Sequence, residues 1–430
     1  MDGVRQNLPS RRRRHRPPVS SSSFFAATAR DHTRSDRISI RKQALTGLRT
    51  GLTSWKLYYP CWKPKRADMA AIVSAHAYLV DVEVEKERTD AVQAFLKQET
   101  VFVEIRTDDG RTGVGYSYTI GTGGRSVLAM LREHLLPRLP GQDAAAVERV
   151  WFDLFASTRA TTVGAITSLA LAAVDTALWD LRCLRAGEPL WKVAGGFRRE
   201  VPLYDTEGGW LHLSTEELVS GALASQAAGW HGVKLKVGKP SAGQDLARLR
   251  AVRDAVGPGL DIMVDANQSM THAEARRRAA AFEPLDLAWF EEPLPADDVA
   301  GHVLLARSTS IPVAVGESLY SVAQFREYLA QGAASIVQVD AARVGGITPW
   351  LKVAHLAEAF NVQVCPHFLM ELHVSLAAAV PNGRCVEHIP QLRAITDGQL
   401  EITDGHAVAP DRPGLGIAWD RDAIDDRRVA

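Results

Sequence analysis

The 430-residue chain is 46% hydrophobic and 23% charged, enough to bury two or three cores, and no apolar run approaches the roughly 18 uncharged residues that a membrane span needs. Its four cysteines, Cys61, Cys183, Cys365 and Cys385, form neither a CxxC pair nor a disulfide framework, which suits a reducing cytoplasm. The net charge of zero hides an asymmetry: residues 1–68 hold 16 Lys+Arg against 4 Asp+Glu, a net of +12, and the remaining 362 carry −12.

The basic stretch contains Arg11-Arg12-Arg13-Arg14, the Ser20–Ser23 run and several prolines, without sustained periodicity, which is the composition of a disordered leader. It reads as a nucleic-acid-binding arm, as an Arg- and Ser-rich targeting segment, or as an extension upstream of a biological start at Met69. The last is preferred, because an apolar strand pattern follows Met69 directly; no nucleic-acid or membrane partner is expected. Val73–Val84, Glu99–Arg106 and Gly113–Tyr118 then read as antiparallel strands, with a turn at Asp108-Asp109-Gly110 and a polar linker at Glu85–Ala91. Residues 126–195 are helical in pattern, with a core-facing stripe at Leu171, Val174, Leu178 and Leu181.

From Val201 strands alternate with helices. Strand tips fall at Tyr204-Asp205-Thr206, Lys234-Leu235-Lys236, Asp265, Glu291, Glu317, Val339-Asp340, Pro366-His367 and Val386-Glu387-His388; helices are marked by 216–228, 245–256, 273–282 and 322–332. Eight parallel strands with intervening helices close into a barrel whose active face is at the strand carboxyl ends. An open doubly wound sheet would instead gather its functional groups at one switch point.

Asp265, Glu291 and Glu317 each end a short apolar run and follow one another at intervals of 26 residues, about one strand plus its return helix. On neighbouring parallel strands three such carboxylates converge, and a hard divalent cation relieves their repulsion; an all-oxygen donor set favours Mg2+ over zinc. Lys234 and Lys236, two apart on one strand, share a face, so that their proximity to each other and to the metal lowers one pKa and yields a neutral base. Asp340 and His367 have the character of a carboxylate-oriented acid/base dyad, although Asp340 also fits a helix cap. Glu387 is expected to stay protonated and donate to a developing oxyanion. Asn267, Tyr204 and Thr206, on the same face, are candidate substrate contacts.

Lys234-x-Lys236, Asp265-x-Asn267, Glu291-Glu292-Pro293, Gly316-Glu317, Asp340, His367 and Glu387 together resemble the mandelate racemase subgroup of the enolase superfamily in identity, order and spacing. The resemblance implies an α+β N-terminal capping domain over 69–198, a (β/α)7β TIM-like barrel over 199–395 and a C-terminal segment, 396–430, returning to the cap. It also implies one Mg2+ per subunit held by Asp265, Glu291 and Glu317 rather than Glu292, Lys236 and His367 on opposite faces of a small carboxylate substrate, and a homo-oligomer. The stretches 207–212, 366–373 and 386–388 look like the acid-sugar dehydratases of that subgroup acting on galactarate and talarate; a racemase, epimerase or lactone cycloisomerase would use the same groups. Lys86–Thr89 and Tyr116-Ser117-Tyr118 offer polar contacts for such a substrate, the former being otherwise a solvated loop.

Overall fold

The structure is a computed structural model that describes residues 69–430. The Arg11–Arg14 and Ser20–Ser23 runs, Cys61 and the rest of residues 1–68 lie outside the described residues. A three-stranded antiparallel sheet comes first: β1 (Ile72–Thr89), β2 (Ala94–Thr107) and β3 (Thr112–Thr119), in that order. The turn expected at 108–110 is present, with Gly110 N–H donating to the Thr107 carbonyl at 3.0 Å and Gly110 at φ +83°. The linker expected at 85–91 is strand as far as Thr89. Arg88 pairs with Phe95 and Thr89 with Ala94 beyond a register shift after Glu83. A bulged ribbon reaching past its core has no apolar face to create a two-residue period, which is why the pattern read as a loop. Its tip is an Asx turn in which Asp90 Oδ1 accepts from the backbone of Val92 and Gln93 at 2.6 and 2.8 Å.

The helix Ala165–Ala186 lies across this sheet. Every residue from Thr167 to Leu181 is buried, not one stripe alone. Glycines allow the close approach on the sheet side: a Cβ at Gly115 would lie 2.2 Å from the Ala173 carbonyl oxygen. On the other side Trp179 Nε1 donates to Thr348 Oγ1 at 2.9 Å and Ser168 Oγ to the Tyr320 carbonyl at 3.1 Å. A helix clamped between two layers is apolar all round, so its moment understates its burial.

The second layer is a barrel. β4 (Glu200–Asp205), β5 (Gly232–Lys236), β6 (Asp261–Asp265), β7 (Trp289–Glu291), β8 (Val313–Val315), β9 (Ile336–Val337) and β10 (Gln363–Val364) pair in sequence order, all parallel, and β11 (Val386–His388) pairs with β4. Arg384 N–H donates to the Val364 carbonyl at 2.8 Å and Val364 N–H to Asn382 at 2.9 Å, so the chain entering β11 joins β10 and closes the ring. Return helices start where caps allow. Ser214 with Glu217 and Ser241 with Gln244 form reciprocal capping boxes, while Thr271, Asp298 and Ser321 cap the next three. The floor is filled by Tyr204, Met263, Trp289, Ala314 and Ile336, together with Cys365 and Cys385, whose free thiols meet at 3.4 Å.

After the barrel, β12 (Ile402–Thr403) and β13 (His406–Val408) form a hairpin that adds antiparallel to β4. The chain then reaches the cap sheet, where Trp419 packs edge-on to Phe102 at 4.9 Å and Val429 N–H donates to the Leu79 carbonyl at 2.9 Å. No helix among the described residues is long and apolar enough to cross a membrane.

Asp175, 1% exposed between cap helix and barrel, accepts from the backbone N–H and hydroxyl of Thr348 at 2.8 and 2.7 Å. Burial pushes its carboxyl up to about 7 despite those bonds. The folded chain thus holds a proton that the unfolded chain releases between about pH 4 and 7, so stability falls as pH rises through that window, by up to about 4 kcal/mol. Melting curves across that range should show this slope in the wild type and a flatter one in Asp175→Asn; identical slopes would contradict the assignment.

Candidate active site

Register at the barrel mouth sets the geometry. Lys236, Asp265 and Glu291 are aligned across β5, β6 and β7, and Glu317 follows β8 by two residues. Gly316, at φ +154°, makes that step possible, since a Cβ there would lie 2.5 Å from the Gln338 backbone. One oxygen from each of Asp265, Glu291 and Glu317 lies within 4.8 Å of the others, all three side chains being buried. Burial and the neighbouring Asp265 charge push Glu291 well above the usual carboxylate range. Asp265 is held low against its burial by Lys236 and Lys234. Such a set of oxygens fits a hard divalent cation, which would let all three ionise together. Glu292 is not part of it: with φ at +35° it turns aside, accepting from Ser318 Oγ at 3.2 Å.

Lys234 Nζ lies 2.7 Å from Glu387, 2.9 Å from Glu291 and 3.5 Å from Asp265. Lys236 Nζ lies 2.5 Å from Asp265 and donates to Asn267 Oδ1 at 3.0 Å. The lowered lysine pKa was expected from the second ammonium together with the metal, and the second ammonium alone does not produce it. Burial and Lys234 do push Lys236 down, but Asp265 with Glu317 and Glu291 outweighs them and the net shift is upward. The nearest carboxylate, not the second lysine, dominates.

Across the mouth, His367 Nδ1 is 2.9 Å from Asp340 Oδ2, and Nε2 is 3.4 Å from Glu317. Both expected roles of Asp340 coexist. Its Oδ1 caps the short helix Ala341–Val344 by accepting from Ala342 and Arg343 N–H at 2.7 and 3.1 Å, while Oδ2 faces the imidazole. Although burial raises it, the His367 bond and the charges of His367 and Arg343 hold Asp340 down to about 2.

Comparison with known proteins fits this geometry. Residues 74–195 match the mandelate racemase/muconate lactonizing enzyme N-terminal domain, and residues 217–423 the enolase C-terminal domain-like family. The L-talarate/galactarate dehydratase of Salmonella typhimurium is 38% identical over 323 residues, covering 75% of this chain and 81% of that protein. The 3,6-anhydro-alpha-L-galactonate cycloisomerase of Streptomyces coelicolor is 37% identical, covering 76% and 91%. The crystal structure of L-talarate dehydratase from Polaromonas sp. JS666, complexed with Mg and L-glucarate, superposes with a TM-score of 0.80 at 38% identity, covering 84% of this chain and 98% of that one. The chain belongs to the mandelate racemase/muconate lactonizing enzyme family of the enolase superfamily.

Three expectations drawn from the sequence need correction in this family member. Glu387 is not a neutral donor. Lys234 at 2.7 Å, the Thr206 hydroxyl at 2.7 Å and Phe368 N–H at 2.8 Å all donate to it; although burial raises it, the charges of Lys234 and His367 and the Lys234 and Phe368 hydrogen bonds hold its carboxyl below the usual range. Tyr204 and Thr206 do not line the cavity: Thr206 is spent on Glu387, and Tyr204 packs edge-on to Trp289 in the barrel floor, a place its strand register dictates. Tyr116-Ser117-Tyr118 is buried under the site rather than offered to a ligand, and Tyr118 O–H donates to Asp340 Oδ2 at 2.7 Å. Alternation along β3 was the available signal, placing both tyrosines on one face.

The cavity itself, about 180 Å3, lies between Lys236, Glu317 and His367 on the barrel and Arg88, Gln93 and Phe95 on the cap ribbon. Asn267 also lines it, at φ +44°, as does Trp210, whose ring centroid is 5.4 Å from Lys236 Nζ. Thr206→Val keeps shape but removes one donor to a buried carboxylate. Chemical denaturation should register a loss of about 1.5–3 kcal/mol; no change would mean that the bond is dispensable.

Proposed function

We propose that the chain is a Mg2+-dependent dehydratase of acid sugars, the ion being held by Asp265, Glu291 and Glu317. The observation that carries this reading is the placement of two proton-transfer groups on different ligands of one carboxylate triad: Lys236 on Asp265 at 2.5 Å and His367 near Glu317 at 3.4 Å. The talarate/galactarate dehydratase relatives support it. Bound there, Mg2+ supplies Lewis-acid stabilisation to the substrate carboxylate.

Removing the proton α to a carboxylate leaves a dianionic enediolate, so charge must be met where it develops. Lys234, beside the metal ligands Glu291 and Asp265 at 2.9 and 3.5 Å, supplies positive charge to meet it, and ionised Glu387 holds its ammonium in place. One of Lys236 and His367 takes the α-proton; its protonated partner gives a proton to the β-hydroxyl, which leaves as water. The enol that remains tautomerises to a 2-keto-3-deoxy acid. Asp340, with Tyr118 behind it, fixes which imidazole nitrogen of His367 faces the substrate.

A racemase or epimerase would return the proton from the opposite face without elimination, whereas a cycloisomerase acting on a cyclic substrate would also break a ring C–O bond; the 37% identical cycloisomerase favours testing that second reading. Incubation with an acid-sugar library and Mg2+ in D2O separates them. Dehydration predicts a carbonyl-reactive 2-keto product from an open-chain acid, with loss of water; α-deuteration without elimination would point to the racemase or epimerase. Lys236→Ala and His367→Ala should each lower turnover by at least about 10³-fold while retaining Mg2+ uptake. Full activity in either would overturn the assignment of bases.

A further inference from the structure

The acid/base dyad stands on two separate loops, and a buried imidazole outside the proton-transfer set joins them. Asp340 follows β9 as the cap of the short helix Ala341–Val344, while His367 follows β10 and leads into Phe368 and Leu369, both left-handed at φ +56° and +36°. Each loop strands one backbone group. Asp340 Oδ1 accepts from Ala342 and Arg343, which leaves the first helical N–H, that of Ala341. The Phe368 carbonyl lies past the end of β10, off the ladder, and needs a donor as well.

His373, 0% exposed on the helix Met370–Ala379, meets both needs. Its Nδ1 lies 2.8 Å from the Phe368 carbonyl oxygen, and its Nε2 accepts from Ala341 N–H at 3.1 Å. These partners admit one protonation state. A carbonyl only accepts, so Nδ1 carries the proton; a backbone N–H only donates, so Nε2 presents its lone pair. Burial acts in the same direction, lowering the pKa and favouring the neutral ring. The ring stacks on Trp350, centroids 6.4 Å apart, and Trp350 Nε1 donates to the Val339 carbonyl at 3.1 Å. The backbone on both sides of Asp340 is thus held by two packed rings.

We propose that His373 is a positioning residue for proton transfer: its neutral imidazole ties the backbone beside Asp340 to the backbone beside His367 and so sets the 2.9 Å contact of the dyad. This rests on the reading of His367 as an acid/base. A carboxylate fixes the tautomer and basicity of its imidazole only at hydrogen-bond distance, so drift between the loops costs turnover and not substrate or metal affinity.

The test uses the full chain with Mg2+, with galactarate, talarate and the rest of the acid-sugar library as probes. His373→Gln puts an amide oxygen near the Nε2 position and keeps the Ala341 bond; His373→Asn puts an amide nitrogen near the Nδ1 position and keeps the Phe368 bond. His373→Phe keeps the ring and neither bond. In His373→Phe, kcat for 2-keto acid formation should fall about 10- to 100-fold, with KM within about threefold and calorimetric Mg2+ affinity within about twofold; the two amide variants should recover part of the loss. A second readout needs no turnover. The His367 proton held by Asp340 should give a downfield NMR resonance, absent from His367→Ala, that weakens or moves upfield in His373→Phe and returns in part in the amide variants. Parental turnover or an unmoved resonance in His373→Phe would overturn the assignment. So would kcat, substrate affinity and Mg2+ affinity falling together in all three variants, the mark of a general loss of packing. Should His373→Phe not fold, the amide variants decide by the same measures. If the parent turns over no acid of the library, the dehydratase reading fails and the resonance alone decides the role of His373.

Discussion

Asp265, Glu291 and Glu317 bring three buried carboxylates within 4.8 Å of one another, a density of negative charge that no solvent screens. Everything at the barrel mouth answers that repulsion. Lys234 and Lys236 are buried beside the acids, a placement lysines tolerate only when paired, and their pKa values move upward because of it. A cation on the carboxylates would weaken their hold on Lys236 and let it give up its proton, so metal affinity and basicity are two sides of one electrostatic balance.

The barrel does not complete the site alone. The dyad of Asp340 and His367 is finished by Tyr118 from β3, the cavity is closed by Phe95 and Arg88 on the β1–β2 ribbon, and the helix Ala165–Ala186 fixes cap to barrel through Trp179 and Asp175 on Thr348. The cap is therefore where specificity can change without disturbing proton transfer. The Cys365–Cys385 contact belongs instead to the packed floor, away from the chemistry.

What could be read from the sequence follows the physics of each signal. The acids at intervals of 26 residues, the paired lysines and the later Asp and His were legible because parallel strands repeat at a nearly constant chain length and expose their ends on one face. The barrel itself is that same regularity. The ribbon at 85–95 was not, since a bulged, two-stranded extension with both faces polar carries no period. The protonation state of Glu387 was not either: it was expected opposite to the one its neighbours impose, because pKa depends on distances of a few ångströms across strands that chain spacing does not report. Tyr204 and Thr206 were placed on the correct strand but at the wrong depth, one in the floor and the other behind Glu387.

The most direct test of the account is calorimetric titration of the full chain with Mg2+. One ion per chain is expected, with binding lost on Glu291→Gln and retained on Glu292→Gln, since only the former carboxylate faces Asp265 and Glu317. No cation uptake by the wild-type chain, or uptake indifferent to Glu291, would contradict it.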